Sequence, residues 1–142
     1  MQSQQLRVFV LSSASLLVAA AALAHGAGTE VVAAADRQWK DMGIPGVVAA
    51  PVSGDMDKGA SRFFLTYPAG FTSPKHRHTT NHYVTVVSGT LTLNVNGHDH
   101  KLGPGSYFAL TESASHTAKV EGSEPAVMFI AADAAWDVVV EK

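Results

Sequence analysis

From Val47 onward, apolar and polar residues alternate in short runs that are broken at intervals near ten by turn residues. This pattern predicts a succession of β-strands, not amphipathic helices. VVAAPV (47–52) precedes the polar loop SGDMDKG (53–59), and RFFLTYP (62–68) follows it. HYVTVV (82–87) ends at Ser88-Gly89, LTLNV (91–95) ends at Asn96-Gly97, and a further run over 98–102 leads to Gly103-Pro104-Gly105. SYFAL, SHTAKV, AVMFIAA and WDVVVE complete the series. Asn-Gly tolerates positive φ at both central positions of a turn, so 90–95 and 98–102 are expected to form a tight hairpin. The expected fold is all-β, an antiparallel sandwich or barrel.

Two N-terminal stretches depart from this pattern. Residues 29–42, TEVVAAADRQWKDM, mix helix-forming alanines with valines and a Trp, and are read with their flanks as an extended N-terminal segment over 25–45. Residues 1–24 combine a short polar start carrying Arg7, an apolar run and the small-x-small end Ala22-Leu23-Ala24. That arrangement reads as a secretory signal peptide cut after Ala24. A periplasmic or secreted chain follows, with no stable membrane association once the signal is removed. The competing reading is a retained anchor, since an apolar stretch of about 17 residues approaches the length needed to span a bilayer.

Composition narrows the classes further. The chain has 142 residues and a formal charge of −2. Loss of Arg7 leaves nine basic against twelve acidic residues, a charge of −3, so nucleic acid is an unsuitable partner. There is no cysteine, so an exported domain over 46–142 must rely on a packed core, with a metal ion as the available staple.

The chemistry lies in the histidines. His76 and His78 are two apart, and on a strand they share a face. His82 shares it too if strand geometry continues in register, and His116 arrives from a different strand. Imidazoles converging in this way suit Fe, Mn, Ni, Cu or Zn. His98 and His100 flank the expected hairpin tip and read as solvated, while His25 would become the amino-terminal residue after cleavage.

The spacing Gly70, His76-x-His78, His82, Gly89 resembles the first motif of the cupin superfamily, with His82 standing where a Glu is usual. Gly97, Pro104-Gly105 and His116 resemble the second motif, whose final Asn is replaced by Val120. The motifs cover 70–116, and flanking strands extend the resemblance over roughly 45–140. It implies a double-stranded β-helix, a jelly-roll-like antiparallel barrel, holding one divalent transition-metal ion on His76, His78, His82 and His116. A homodimer is a further expectation of the resemblance.

Four neutral imidazoles would leave the ion's full +2 charge, which favours anionic ligands and strengthens Lewis acidity. A six-coordinate ion would keep two positions for a small-molecule substrate or dioxygen, whereas a tetrahedral ion would keep none. Val84 and Val86 are expected to alternate inward with His82, and Phe71, Tyr107, Phe108, Met128 and Phe129 are candidates for the cavity wall or the core. Glu112, Tyr83 and Tyr107 are the scarce polar candidates near the site, and Trp39 and Trp136 read as packing anchors. Three functions remain open: a metal-dependent oxygenase acting on a small oxygenated or aromatic molecule, a non-catalytic binding or sensor module, and a purely structural metal site.

Overall fold

A computed structural model describes residues 28–142, in which eleven strands form two antiparallel sheets. The signal-peptide reading of 1–24 and the amino-terminal role of His25 lie outside the described residues. In chain order the strands are β1 (Lys40–Asp41), β2 (Val48–Gly54), β3 (Ser61–Tyr67), β4 (His76–Arg77), β5 (His82–Ser88), β6 (Leu91–Val95), β7 (His98–Leu102), β8 (Tyr107–Leu110), β9 (His116–Val120), β10 (Ala126–Ala132) and β11 (Val139–Val140). One sheet runs β1-β2-β3-β10-β5-β8 and the other β11-β4-β9-β6-β7. This is the all-β, jelly-roll arrangement that the resemblance implies, with the inner faces of the two sheets enclosing the core.

Alternation along the strands makes that core. In β5, His82, Val84 and Val86 are buried, while Tyr83 and Thr85 face outward. β10 alternates without a break, so Ala126, Met128, Ile130 and Ala132 point inward and Val127, Phe129 and Ala131 do not. β10 lies between β3 and β5, and Ile130 pairs with both Phe63 and Val84. Phe63 is fully buried and anchors a cluster that includes Met56, Leu65, Leu91 and Val120. Inward apolar side chains at period two stabilise such a sandwich by about 25 cal/mol for each Å² removed from water.

The expected hairpin joins β6 to β7, with Leu91 paired to Leu102 and Val95 to His98. Its turn residues Asn96 and Gly97 have φ of 54° and 80°, the left-handed conformation this turn needs. Gly89 is required for another reason: at φ 74° a Cβ there would lie 2.2 Å from the Pro125 carbonyl oxygen. Chain passes chain too closely for a side chain.

Several expectations change. Residues 28–45 carry a single 3-10 turn (Ala34–Asp36), are otherwise non-helical, and contribute β1 at the edge of the six-stranded sheet. WDVVVE is a strand only at Val139–Val140, because Trp136 and Asp137 leave the sheet to pack over the histidines. Trp39 is no core anchor: it is 44% exposed, with the Arg37 guanidinium 5.9 Å from its ring centre. Phe129 packs on Phe64 on the outer face, its ring centre 5.1 Å away, and Tyr107 is 61% exposed on the outside of β8. Neither lines the interior.

Candidate metal centre

Each of the four predicted histidines is buried between the sheets, but by different routes. His76 opens the two-residue strand β4, and its Cα partner across the sheet is His116 at the start of β9. His78 lies just past the end of β4. The chain then breaks strand geometry over 78–81 and crosses to the opposite sheet, where His82 begins β5. The continuous strand face expected for His76, His78 and His82 is therefore replaced by a crossing between sheets. All four side chains are buried.

His76, His78 and His116 form a set whose potential ligand nitrogens all lie within 4.8 Å of one another. Their ring centres are 4.2 Å apart for His76 and His116, 5.0 Å for His76 and His78, and 5.4 Å for His78 and His116. His82 stands outside this tight set, 4.6 Å from His78 and 6.3 Å from His116 by ring centres.

The hydrogen bonds fix which nitrogen is free. His76 Nδ1 donates to the Pro74 carbonyl at 2.9 Å, His82 Nδ1 to the Thr80 carbonyl at 3.2 Å, and His116 Nδ1 to the Ala114 carbonyl at 3.0 Å. His78 Nδ1 donates to the carbonyl of Asp137. A carbonyl only accepts, so each Nδ1 carries the proton and each Nε2 keeps its lone pair. Burial lowers the pKa of His78 to about 3 and that of His116 to about 4, and depresses that of His82, so these three rings are neutral at pH 7.

Three of the supporting carbonyls lie two residues before the histidine they hold. The fourth comes from the far end of the chain. The Asp137 carboxylate also accepts the Thr79 backbone N–H at 2.8 Å, and Thr80 Oγ1 accepts the Ala134 N–H at 2.9 Å. These bonds tie the crossing loop 79–81 to the segment 133–137. The Trp136 ring lies 4.1 Å from that of His78, 4.9 Å from that of His82 and edge-on to Phe63 at 5.1 Å.

The cavity lined by His78, His82 and His116 also draws on Val84, Leu93, Phe108, Leu110, Met128 and Trp136. Its free volume is about 20 Å³, room for one ion or water and little more. No carboxylate is among its lining residues. Buried neutral nitrogen acceptors, with their other nitrogen already satisfied, are the donor set that a first-row divalent ion takes, so these residues fit a metal.

The remaining candidates fall elsewhere. Tyr83 faces outward, its hydroxyl donating to Asp133 at 3.3 Å, and Glu112 is an exposed loop residue whose backbone N–H donates to the Asn81 side chain. Phe71 stacks on Tyr67, with ring centres 4.2 Å apart. His100, read from sequence as a solvated tip, is exposed and also borders a groove of about 340 Å³ between β7 and β8. Sequence reasoning passed over Tyr67, which lines the cavity and whose phenol is pushed up to about 12 by burial. It also missed Asp137, whose direct contact with His78 is through a backbone carbonyl that every residue type carries. No residue signature could reveal it.

The cupin domain family model matches residues 63–132. No curated protein matches the chain. Among solved structures, the polyketide cyclase RemF from Streptomyces resistomycificus superposes with a TM-score of 0.68 at 16% identity, covering 80% of this chain and 86% of that one. KdgF from Halomonas sp. gives 0.60 at 20% identity, covering 71% and 92%. The DMSP lyase DddQ from Ruegeria pomeroyi gives 0.57 at 18%, covering 70% of this chain and 57% of the lyase. With the sheet order, the family match over residues 63–132 and the clustered imidazoles in agreement, the chain has a cupin-like jelly-roll fold that carries a three-histidine cluster able to hold a metal ion.

Proposed function

We propose that this chain is an exported, mononuclear metal-dependent enzyme of oxygenase type, acting on a small oxygenated or aromatic molecule, with His76, His78, His82 and His116 as ligands of one divalent transition-metal ion. The observation that carries this reading is the set of four buried imidazoles, each with Nδ1 tied to a backbone carbonyl and Nε2 left free. His82 shares that tautomer device with the other three, which supports its inclusion despite its greater distance. When bound, the ion supplies Lewis acidity and open coordination positions. The chain contributes fixed ligand orientation, apolar walls that exclude bulk water, and an all-neutral ligand set that favours anionic oxygen donors.

RemF and DddQ bear the names of a cyclase and a lyase, so this fold hosts more than one reaction class. The distinguishing experiment is elemental analysis of the purified protein, followed by oxygen uptake with a panel of diketones, catechols and hydroxy acids. Redox-active metal with substrate-dependent oxygen uptake is the expected result. Zinc alone, with no uptake across the panel, overturns the oxygenase reading.

One observation favours a second reading, a non-catalytic metal or small-molecule binding module in the periplasm. No carboxylate lines the cavity to move a proton. Ligand binding without turnover is the result that supports it. Export is tested by N-terminal sequencing for a start at His25, and homodimer formation by size-exclusion chromatography.

A further inference from the structure

The cavity around the histidines is too small for a substrate, at about 20 Å³. The body of any molecule that reaches the metal must rest elsewhere. Two larger spaces adjoin it. One is the groove of about 340 Å³ between β7 and β8, and the other is a polar hollow of about 360 Å³ bordered by Lys75, Asn94, Ser115, His116 and Thr117.

Register separates them. Asn94 and Thr117 are cross-strand partners on the face opposite to buried Leu93 and Ala118, so the polar hollow opens on the outside of its sheet. The groove shares Leu93, Phe108 and Leu110 with the histidine cavity, and Leu93 and Leu110 are buried, inward-facing residues. β7 and β8 are the free edges of their respective sheets, so no further strand closes the gap between them. His100 pairs with Leu93 and projects from the same face, placing an imidazole on the solvent side of an otherwise largely apolar groove.

We propose that the groove between β7 and β8 seats the body of the ligand: a small planar, predominantly apolar ring attached to a pair of chelating oxygens. The oxygens pass Leu93, Phe108 and Leu110 to reach the metal, and His100 hydrogen-bonds a polar substituent on the outer rim of the ring. This assignment rests on the metal centre proposed above and adds the substrate class. A space of a few hundred Å³ with apolar walls and one or two polar groups suits a single aromatic ring.

Two hydroxamates of equal chelating chemistry test it. Acetohydroxamate carries the oxygen pair without a ring, and benzohydroxamate carries both. With the Ni²⁺-loaded chain, calorimetry should show benzohydroxamate binding about tenfold or more tightly, as expected for sheltering a phenyl ring from water. His100→Trp, which fills the groove, should bring that ratio close to one. Leu102→Trp, two residues along β7 on the same face as His100 and also lining the groove, should lower it in the same direction, and circular dichroism checks that both variants are folded. Equal affinities in the unmodified chain, or a ratio unmoved in both folded variants, overturn the groove assignment while leaving the metal centre standing. Failure of the chain to take up Ni²⁺ removes the metal centre itself, and the groove assignment with it, whereas a Ni²⁺-loaded chain that binds neither hydroxamate overturns the groove assignment alone.

Discussion

The Trp136 indole lies against the imidazole of His78, with ring centres 4.1 Å apart and planes inclined at 32°. The next residue, Asp137, accepts the hydrogen bond from His78 Nδ1–H at its carbonyl, so one short segment packs and orients the same imidazole. Replacing Trp136 by Ala should therefore loosen His78 and lower metal affinity by about 10- to 100-fold, the usual effect of removing an outer-shell support. A loss of about 3–5 kcal/mol in stability is expected alongside it, because a partly buried indole is deleted. Metal titration and urea unfolding of the variant measure the two effects separately.

The same contact provides a spectroscopic signal. Trp39 and Trp136 are the two tryptophans, and Trp39 lies on the surface. In a Trp39→Phe background, Cu²⁺ or Ni²⁺ should quench the remaining emission in a saturable, stoichiometric way. Emission that stays constant while metal is bound would contradict the placement of Trp136 beside the ligands.

Acid should destabilise the metal-free protein over a defined window. The folded-state pKa of His78 is about 3 and that of His116 about 4, against 6.5 for an unperturbed imidazole. Below 6.5 the unfolded chain takes up protons that the folded chain refuses, so stability rises with pH in this range. The stability held above pH 6.5 is lost progressively as pH falls toward 4 and then 3. Urea midpoints recorded from pH 7 to pH 4 should decline, and His116→Gln should flatten the slope.

Metal removal should lower the melting temperature. A ligand bound only by the folded state stabilises it by about 2.7 kcal/mol at a hundredfold excess over its Kd, which for a domain of this size is a shift of about 10 °C or more. Thermal melts with and without a strong chelator read this directly. His82→Glu should retain metal binding with a changed preference among ions, whereas His116→Ala should abolish it.

Gly89→Ala tests a backbone constraint away from the metal. The new Cβ would meet the Pro125 carbonyl oxygen at 2.2 Å, in a left-handed conformation that Ala resists. A destabilisation of at least about 1–3 kcal/mol is expected in chemical denaturation, with metal affinity per folded molecule little changed.

The sequence by itself determined most of the strands and singled out the four histidines that the fold gathers. Period-two alternation in 82–86 marked an inward face because side chains on a strand alternate by geometry alone, and Asn96-Gly97 marked its turn because few other pairs accept two positive φ values, whereas 126–132 is apolar throughout and only the sheet separated Met128 from Phe129. For His76, His82 and His116, even the orienting carbonyl is local, two residues earlier in the chain. Tertiary structure decided what depends on distant segments meeting. Asp137 holds His78 across 59 residues through an atom common to all residue types. Trp136 became a wall of the histidine cavity, not simply a core anchor, because the chain leaves the sheet after β10 and turns back over His78. His100 borders a groove because two sheet edges meet without pairing. Local pattern encodes which way a side chain points on its strand, whereas the partner it meets depends on how the sheets close around it.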